Sequence, residues 1–237
     1  MNLTSEIKEQ ALAHAKETHP VESVGLIHIV KGKNRYFKCK NIAETPDEYF
    51  VLDPEDYLKA EKKGEVIAVI HSHPTTNPTP SSADVVACEA SGLPWFIVNP
   101  ITEEWGEYSP KGYELPYVGR KFSHGLIDCY SLVRDFYKRE FGLQLNDYNR
   151  RDQWWEKGLN MYLDNFAKEG FKEIELSEVS YGDLFLMHLE SPVPNHAAIY
   201  LNEGIVLHHV QGRLSSRDVY GGYYQKVTAK VLKHESR

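Results

Sequence analysis

Two groups of side chains in this sequence have the types and spacing for hydrolytic chemistry. The first is Val69-Ile70-His71-Ser72-His73-Pro74, followed by a Pro/Thr-rich stretch, Ser81 and Asp84. His71 and His73 close an apolar run, Val66 to Ile70, and residues two apart on a strand point to one face. Asp84 follows a turn that can bring its carboxylate back to the imidazoles. Two His and one Asp, with a fourth position open to water, are a ligand set suited to catalytic Zn2+. A plainer reading competes. Ser81-x-x-Asp84 is also a helix capping-box pattern, and a strand-end His pair could simply lie at the surface. The combination of His-x-His-Pro, Ser and Asp at these spacings favours the metal site.

The second group begins at Cys129. It opens a helical pattern whose apolar positions Leu132, Val133, Phe136, Tyr137 and Phe141 face inward, and Gly142 ends it. At a helix N-terminus the macrodipole favours an anion, so a thiolate is expected within reach of neutral pH. The base comes from a hairpin. Asn195 to Leu201 is strand-like, Asn202-Glu203-Gly204 is a three-residue loop, and Ile205 to Val210 returns. With that loop length Leu201 pairs with Ile205, and His196 and His208 become diagonal neighbours on one face. His209 points the other way and is expected on the outer face. Cys129, His196 and His208 then fill the roles of nucleophile, base and orienting group.

The elements that must position these groups can be read from the same pattern. Residues 4–18 form a helix with Thr4 or Ser5 as its cap, stopped by Pro20. Val24 to Val30 and Arg35 to Ile42 form a hairpin, followed by a short strand at Tyr49 to Leu52. Asp53-Pro54-Glu55-Asp56 starts a helix that closes at Gly64. The metal strand follows, then a helix from about Ser82 to Ala90, then strands at Trp95 to Val98 and Trp105 to Tyr108. Alternating strands and helices make this half an α/β unit with a central sheet. Ser109-Pro110-Lys111-Gly112 is the candidate linker, which divides the chain into residues 1–112 and 113–237. Trp154, Trp155, Tyr162 and Phe166 read as core or a groove wall.

Composition sets the outer bounds. The chain has 237 residues, 41% hydrophobic and 26% charged, as in globular proteins. A net charge of -7, a pI near 5.9 and the lack of a Lys/Arg cluster argue against nucleic acid as a partner. No apolar run reaches the length of a membrane span, and Met1 to Glu6 lacks a signal-peptide pattern, so folding in the cytosol is expected. Cys39, Cys88 and Cys129 are odd in number and unrelated in spacing, which suggests no disulfide framework.

The first group of residues resembles the JAMM (MPN-type) metallopeptidase family, whose upstream Glu is matched by Glu22 in Pro20-Val21-Glu22-Ser23-Val24. That resemblance implies one zinc ion held by His71, His73 and Asp84, Glu22 as general base, and Ser81 as oxyanion donor. Residues 113–237 resemble NlpC-type cysteine peptidases, through Asp128-Cys129, Gly182-Asp183-Leu184-Phe185, His196 with Ile199-Tyr200-Leu201, and His208. This implies a papain-like α+β fold and cleavage of peptidoglycan stem peptides. It also implies that Tyr117, twelve positions before Cys129, points into the site. Tyr130-Ser131 and Ala197-Ala198 depart from the family pattern without removing a chemical group. The two halves in tandem, with Arg217-Asp218-Val219-Tyr220-Gly221-Gly222, resemble the tail-tip protein K family of lambda-like tailed phages. The expectation is a bifunctional peptidase made in the host cytoplasm and acting at the virion tail tip. Its partners would be other tail-tip proteins, and its substrates cell-wall or protein peptide bonds. An assembly factor that keeps two peptidase folds for docking is the alternative.

Overall fold

The computed structural model of the chain describes residues 1–150 and 153–237. It divides into two compact units, Met1–Glu114 and Leu115–Arg237.

The first unit opens with helix α1 (Ser5–Thr18), whose cap Thr4 accepts the Ile7 N–H through its hydroxyl. A sheet of five strands follows: β1 (Val24–Val30), β2 (Lys33–Cys39), β3 (Glu65–Ser72), β4 (Trp95–Val98) and β5 (Trp105–Tyr108), in spatial order β2-β1-β3-β4-β5. Helix α2 (Pro54–Lys63) precedes β3. Helix α3 (Ser82–Ser91) carries the crossover between the parallel pair β3 and β4, and the other pairings are antiparallel. The period-2 alternation decides what each helix covers. Ile27, Ala68, Ile70 and Phe96 meet Ile7 and Ala11 of α1. Val24, Leu26, Val69 and Trp95 meet Ala60 of α2 and Cys88 of α3 on the other face. Helices on both faces of a mixed sheet make an α/β unit.

The strand expected at Tyr49 to Leu52 does not form; only Leu52 makes a bridge, with Asn41. The reason is the Asn41 side chain. Its amide donates to the carbonyls of Glu22, Pro46 and Tyr49, and its oxygen accepts the N–H groups of Ala43 and Val51. One side chain thus takes the Tyr49 carbonyl and the Val51 N–H. Only two ladder bonds remain among the described residues, Ile42 N–H to the Val51 carbonyl and Asp53 N–H to the Lys40 carbonyl.

The second unit is built on helix α4 (Cys129–Phe141) and six antiparallel strands: β6 (Phe171–Glu173), β7 (Leu184–Met187), β8 (His196–Tyr200), β9 (Ile205–His208), β10 (Ser216–Val219) and β11 (Thr228–His234). Their order is β10-β9-β8-β7-β11-β6. Leu132, Val133, Phe136 and Tyr137 of α4 pack on Leu184, Leu186, Ala197, Ile199 and Leu207. The opposite face carries Phe185, Met187, Ala198 and Val206 under Tyr220 and Tyr224. A helix against one face of an antiparallel sheet is the α+β arrangement. The Trp154-to-Phe166 stretch is two short pieces, a 3-10 turn at Trp154–Lys157 and α5 (Met161–Asn165), broken at Gly158. Another short helix, α6 (Tyr223–Val227), follows β10. No helix among the described residues is long and apolar enough to cross a membrane.

Candidate active sites

In the first unit His71, His73 and Asp84 converge. His71 Nε2 lies 3.2 Å from His73 Nε2, and Asp84 reaches each ring at 3.2 Å, with Oδ1 to His71 and Oδ2 to His73. Asp84 is also the third residue of α3 and closes a capping box with the N-cap, Ser81. Its Oδ2 accepts the Ser81 N–H at 2.7 Å, and the Ser81 hydroxyl accepts the Asp84 N–H at 3.1 Å. The capping box and the ligand set are one arrangement: the cap is what aims the carboxylate. A glycine lets the connecting loop close, since a Cβ on Gly106 of β5 would collide with the Pro78 carbonyl oxygen.

The donor set fits a metal ion. A tetrahedral ion with bonds of about 2.0–2.1 Å holds its donors roughly 3.3 Å apart. His73 Nδ1 donates to the Asn77 carbonyl at 2.9 Å, which leaves its Nε2 as a lone pair facing the other two. His71 is fully buried between Phe50 and Trp95, and its Nδ1 has no hydrogen-bond partner. Burial pushes His71 down, towards the neutral form a ligand needs. Asp84 is desolvated too, but the two imidazoles hold its carboxyl well below the usual range, so it is ionised.

Glu22 comes to this group through the sheet. Val24 pairs with His71, and the ladder runs one residue further: Ser72 N–H donates to the Ser23 carbonyl at 3.0 Å, and Ser23 N–H donates to Ser72 Oγ at 2.8 Å. That register puts Glu22 on the same face as His71 and His73. Burial pushes its carboxyl up to about 8, against the pull of His73 and with a further push from Asp84. Ser72, between the two His, is a positioning residue that the motif alone does not reveal. Ser81 is exposed, and its oxygen accepts from Asp84, so its own O–H remains a donor.

In the second unit Asp128 caps α4 with a reciprocal box to Ser131 and is paired at 2.7 Å with the buried guanidinium of Arg150. Cys129 is 9% exposed, and its sulfur lies 3.2 Å from the Tyr162 hydroxyl. Its thiol is not the near-neutral thiolate expected from the helix terminus. Burial, then the Asp128 carboxylate, pushes it up to about 11, against the lowering effect of Tyr162, the Ala197 amide and Arg150. The reason is one of scale. A helix dipole contributes about 0.3–1 kcal/mol, under one pKa unit, and burying the charge costs more.

The hairpin has the expected register, with Ala198 opposite His208 and Tyr200 opposite Val206. His196 Nε2 therefore meets His208 Nδ1 at 3.1 Å. No hydrogen bond joins Cys129 to His196 among the described residues; the Ala197 amide, next along β8, is the part of the strand that acts on the sulfur. His209 does face the other way, but it is fully buried beside Phe122 rather than outside.

Tyr117 is a correction. Its hydroxyl donates to Glu140 at 3.0 Å and its ring packs on Phe136. Glu140 is eleven residues along α4 from Cys129, about 16 Å at 1.5 Å per residue. The tyrosine at the sulfur is Tyr162, whose place in an aromatic stretch suggests core or a groove wall, with substrate contact the lesser alternative. Asp218 was missed too: its Oδ2 accepts from His208 Nε2 at 3.0 Å. A carboxylate two residues beyond a diagonal His partner is visible in sequence only once the third strand's register is known.

Comparison with known proteins gives two family matches: "Prokaryotic homologs of the JAB domain" over residues 4–109 and "NlpC/P60 family" over residues 115–233. Tail tip assembly protein K of Escherichia phage N15 is 38% identical over 229 residues, covering 94% of this chain and 92% of that protein. The protein of the same name from Escherichia phage lambda is 40% identical over 185 residues, 78% of this chain and 90% of that one. Among solved structures, a JAB1/MPN domain protein from Archaeoglobus fulgidus is 23% identical, covers 46% of this chain and 87% of its own, and has a TM-score of 0.30.

Proposed function

Because the chain belongs to the tail tip assembly protein K family of lambda-like phages, with a JAB-type half followed by an NlpC/P60 half, we propose that it is a tail-tip assembly protein carrying two peptidase sites. It is made in the host cytoplasm and works with other phage tail proteins at the tail tip. The single observation that carries the reading is the convergence of His71, His73 and Asp84 within 3.2 Å contacts beside a buried Glu22.

In the JAB-type half His71, His73 and Asp84 hold the metal, for which zinc is the best match to two imidazoles and a carboxylate. Bound there, it supplies Lewis acidity that polarises a carbonyl and acidifies water. Glu22, buried beside the ligand set, is the general base that takes up and returns the proton. The Ser81 hydroxyl donates to the oxygen on which charge develops.

In the NlpC/P60 half the resting thiol is neutral, and His196 is neutral too, since burial and then the His208 and His209 charges push it well down. The pair therefore works by general-base activation: the Cys129 proton passes to His196 as sulfur bonds to the carbonyl carbon. His196 then returns the proton to the leaving amine as the C–N bond breaks, and water, giving its proton to His196, hydrolyses the thioester and restores the Cys129 thiol. Peptidoglycan stem peptides are the substrate class for this half, and a tail or host protein for the first. The buried thiol also favours a second reading, in which docking in the tail tip is the main task of this half.

Cys129→Ala and His71→Ala separate these readings. The parent is expected to bind about one divalent metal per chain, lost in His71→Ala, and to release peptides from cell-wall fragments, lost in Cys129→Ala. Full tail assembly and infectivity by both variants, with no peptide release by the parent, would overturn the enzymatic reading.

A further inference from the structure

Three neighbouring strands bring three titratable side chains to the same face of the second unit. His196 starts β8, His208 ends β9, and Asp218 lies in β10. His208 is opposite Ala198 and Ser216, so its diagonal neighbours are His196 on one side and Asp218 on the other. The contacts follow this staircase: His196 Nε2 to His208 Nδ1 at 3.1 Å, and His208 Nε2 to Asp218 Oδ2 at 3.0 Å. Both imidazoles are buried, while the Asp218 side chain is 23% exposed.

We propose that Asp218 is a positioning residue that sets the proton arrangement of the whole relay, so that His196 presents Nδ1 as its basic nitrogen. An ionised carboxylate only accepts hydrogen bonds. His208 must therefore carry its proton on Nε2, and its Nδ1 is then a lone pair that can only accept. His196 must in turn carry its proton on Nε2 to donate to it, which leaves Nδ1 unprotonated. The opposite arrangement would set the His208 Nε2 lone pair against the carboxylate. Arg213 and the Tyr224 hydroxyl donate to the same Oδ2 at 3.4 and 3.3 Å, which holds Asp218 as an anion in one orientation. No proton passes to Asp218; it fixes the tautomers and steadies the imidazolium formed when His196 takes the thiol proton. An amide at 218 could donate to His208 as well as accept from it, which makes both tautomers available.

The role rests on the proposed cysteine peptidase activity, but its first test does not need turnover. Nitrogen-15 NMR of the full chain is expected to find both His196 and His208 as Nε2–H tautomers. Asp218→Asn is expected to give mixed tautomers at both rings. On a peptide substrate it should lower kcat ten- to hundredfold with KM within twofold, and Asp218→Glu should recover much of that loss. A His208 protonated on Nδ1 in the parent, or unchanged tautomers in Asp218→Asn, would overturn the proposal. If the parent turns over no peptide, the peptidase reading fails, and the tautomers alone decide the role of Asp218.

Discussion

At the level of single residues, the state of Cys129 is set by its neighbours more than by its place on the helix. The Tyr162 hydroxyl, 3.2 Å away, can donate to the thiolate, while the same side chain, in contact with the sulfur, keeps water from it. The two effects oppose each other and can be separated. Tyr162→Phe keeps the cover and removes the donor, so the thiol pKa should rise and alkylation by iodoacetamide at pH 8 should slow about tenfold, the worth of a hydrogen bond of roughly 1.4 kcal/mol to a charged group. Tyr162→Ala removes both, and the uncovered sulfur should react faster than in the parent. Alkylation of Tyr162→Phe at the parental rate across pH 6–10 would show that the hydroxyl does not act on the sulfur.

At the level of elements, the start of α4 depends on one carboxylate. Asp128 accepts the Ser131 and Gly125 N–H groups and pairs with Arg150, which itself reaches the Gly125 carbonyl and Asp147. Burial raises the Asp128 carboxyl, but the Arg150 charge and hydrogen bond, joined to the cap backbone, outweigh it and lower the pKa. Asp128→Asn leaves the guanidinium without its buried partner, and a loss of roughly 3 kcal/mol is expected. The pH dependence follows from the depressed pKa. Above the unfolded value of about 3.9 the Asp128 carboxylate contributes its full stabilisation, and as pH falls below this the contribution is lost. Urea midpoints of the transition that unfolds the second unit should differ between parent and variant by a constant amount at pH 5–8. The gap should narrow below about pH 4.

For the whole molecule, each compact unit holds its own chemical groups: His71, His73, Asp84 and Glu22 lie within Met1–Glu114, and Cys129, His196, His208 and Asp218 within Leu115–Arg237. No side chain of either proposed mechanism is borrowed from the other unit. The sites should therefore respond separately. Asp84→Ala is expected to abolish metal binding and leave the Cys129 alkylation rate within twofold of the parent. Cys129→Ala should leave the metal content unchanged. Loss of thiol reactivity in Asp84→Ala, in a chain whose second unit still unfolds at its normal urea midpoint, would show that the sites are coupled.

Local rules alone carried much of this. The caps at Thr4 and Asp53 bound α1 and α2 because a helix terminus needs a short polar acceptor within three residues, which is a local requirement. The three-residue loop before Ile205 dictated the diagonal of His196 and His208, because strand register propagates residue by residue from a turn. The His-x-His pair shared a face for the same reason. Side chains that act across long stretches of chain were not legible. Asn41 displaced an expected strand, Tyr117 went to Glu140 rather than to the sulfur, and Tyr162 and Asp218 came to the site instead. The thiol's pKa also belonged to the fold. Solvent exclusion around Cys129 depends on residues more than thirty positions away, and such burial exists only once the chain has packed.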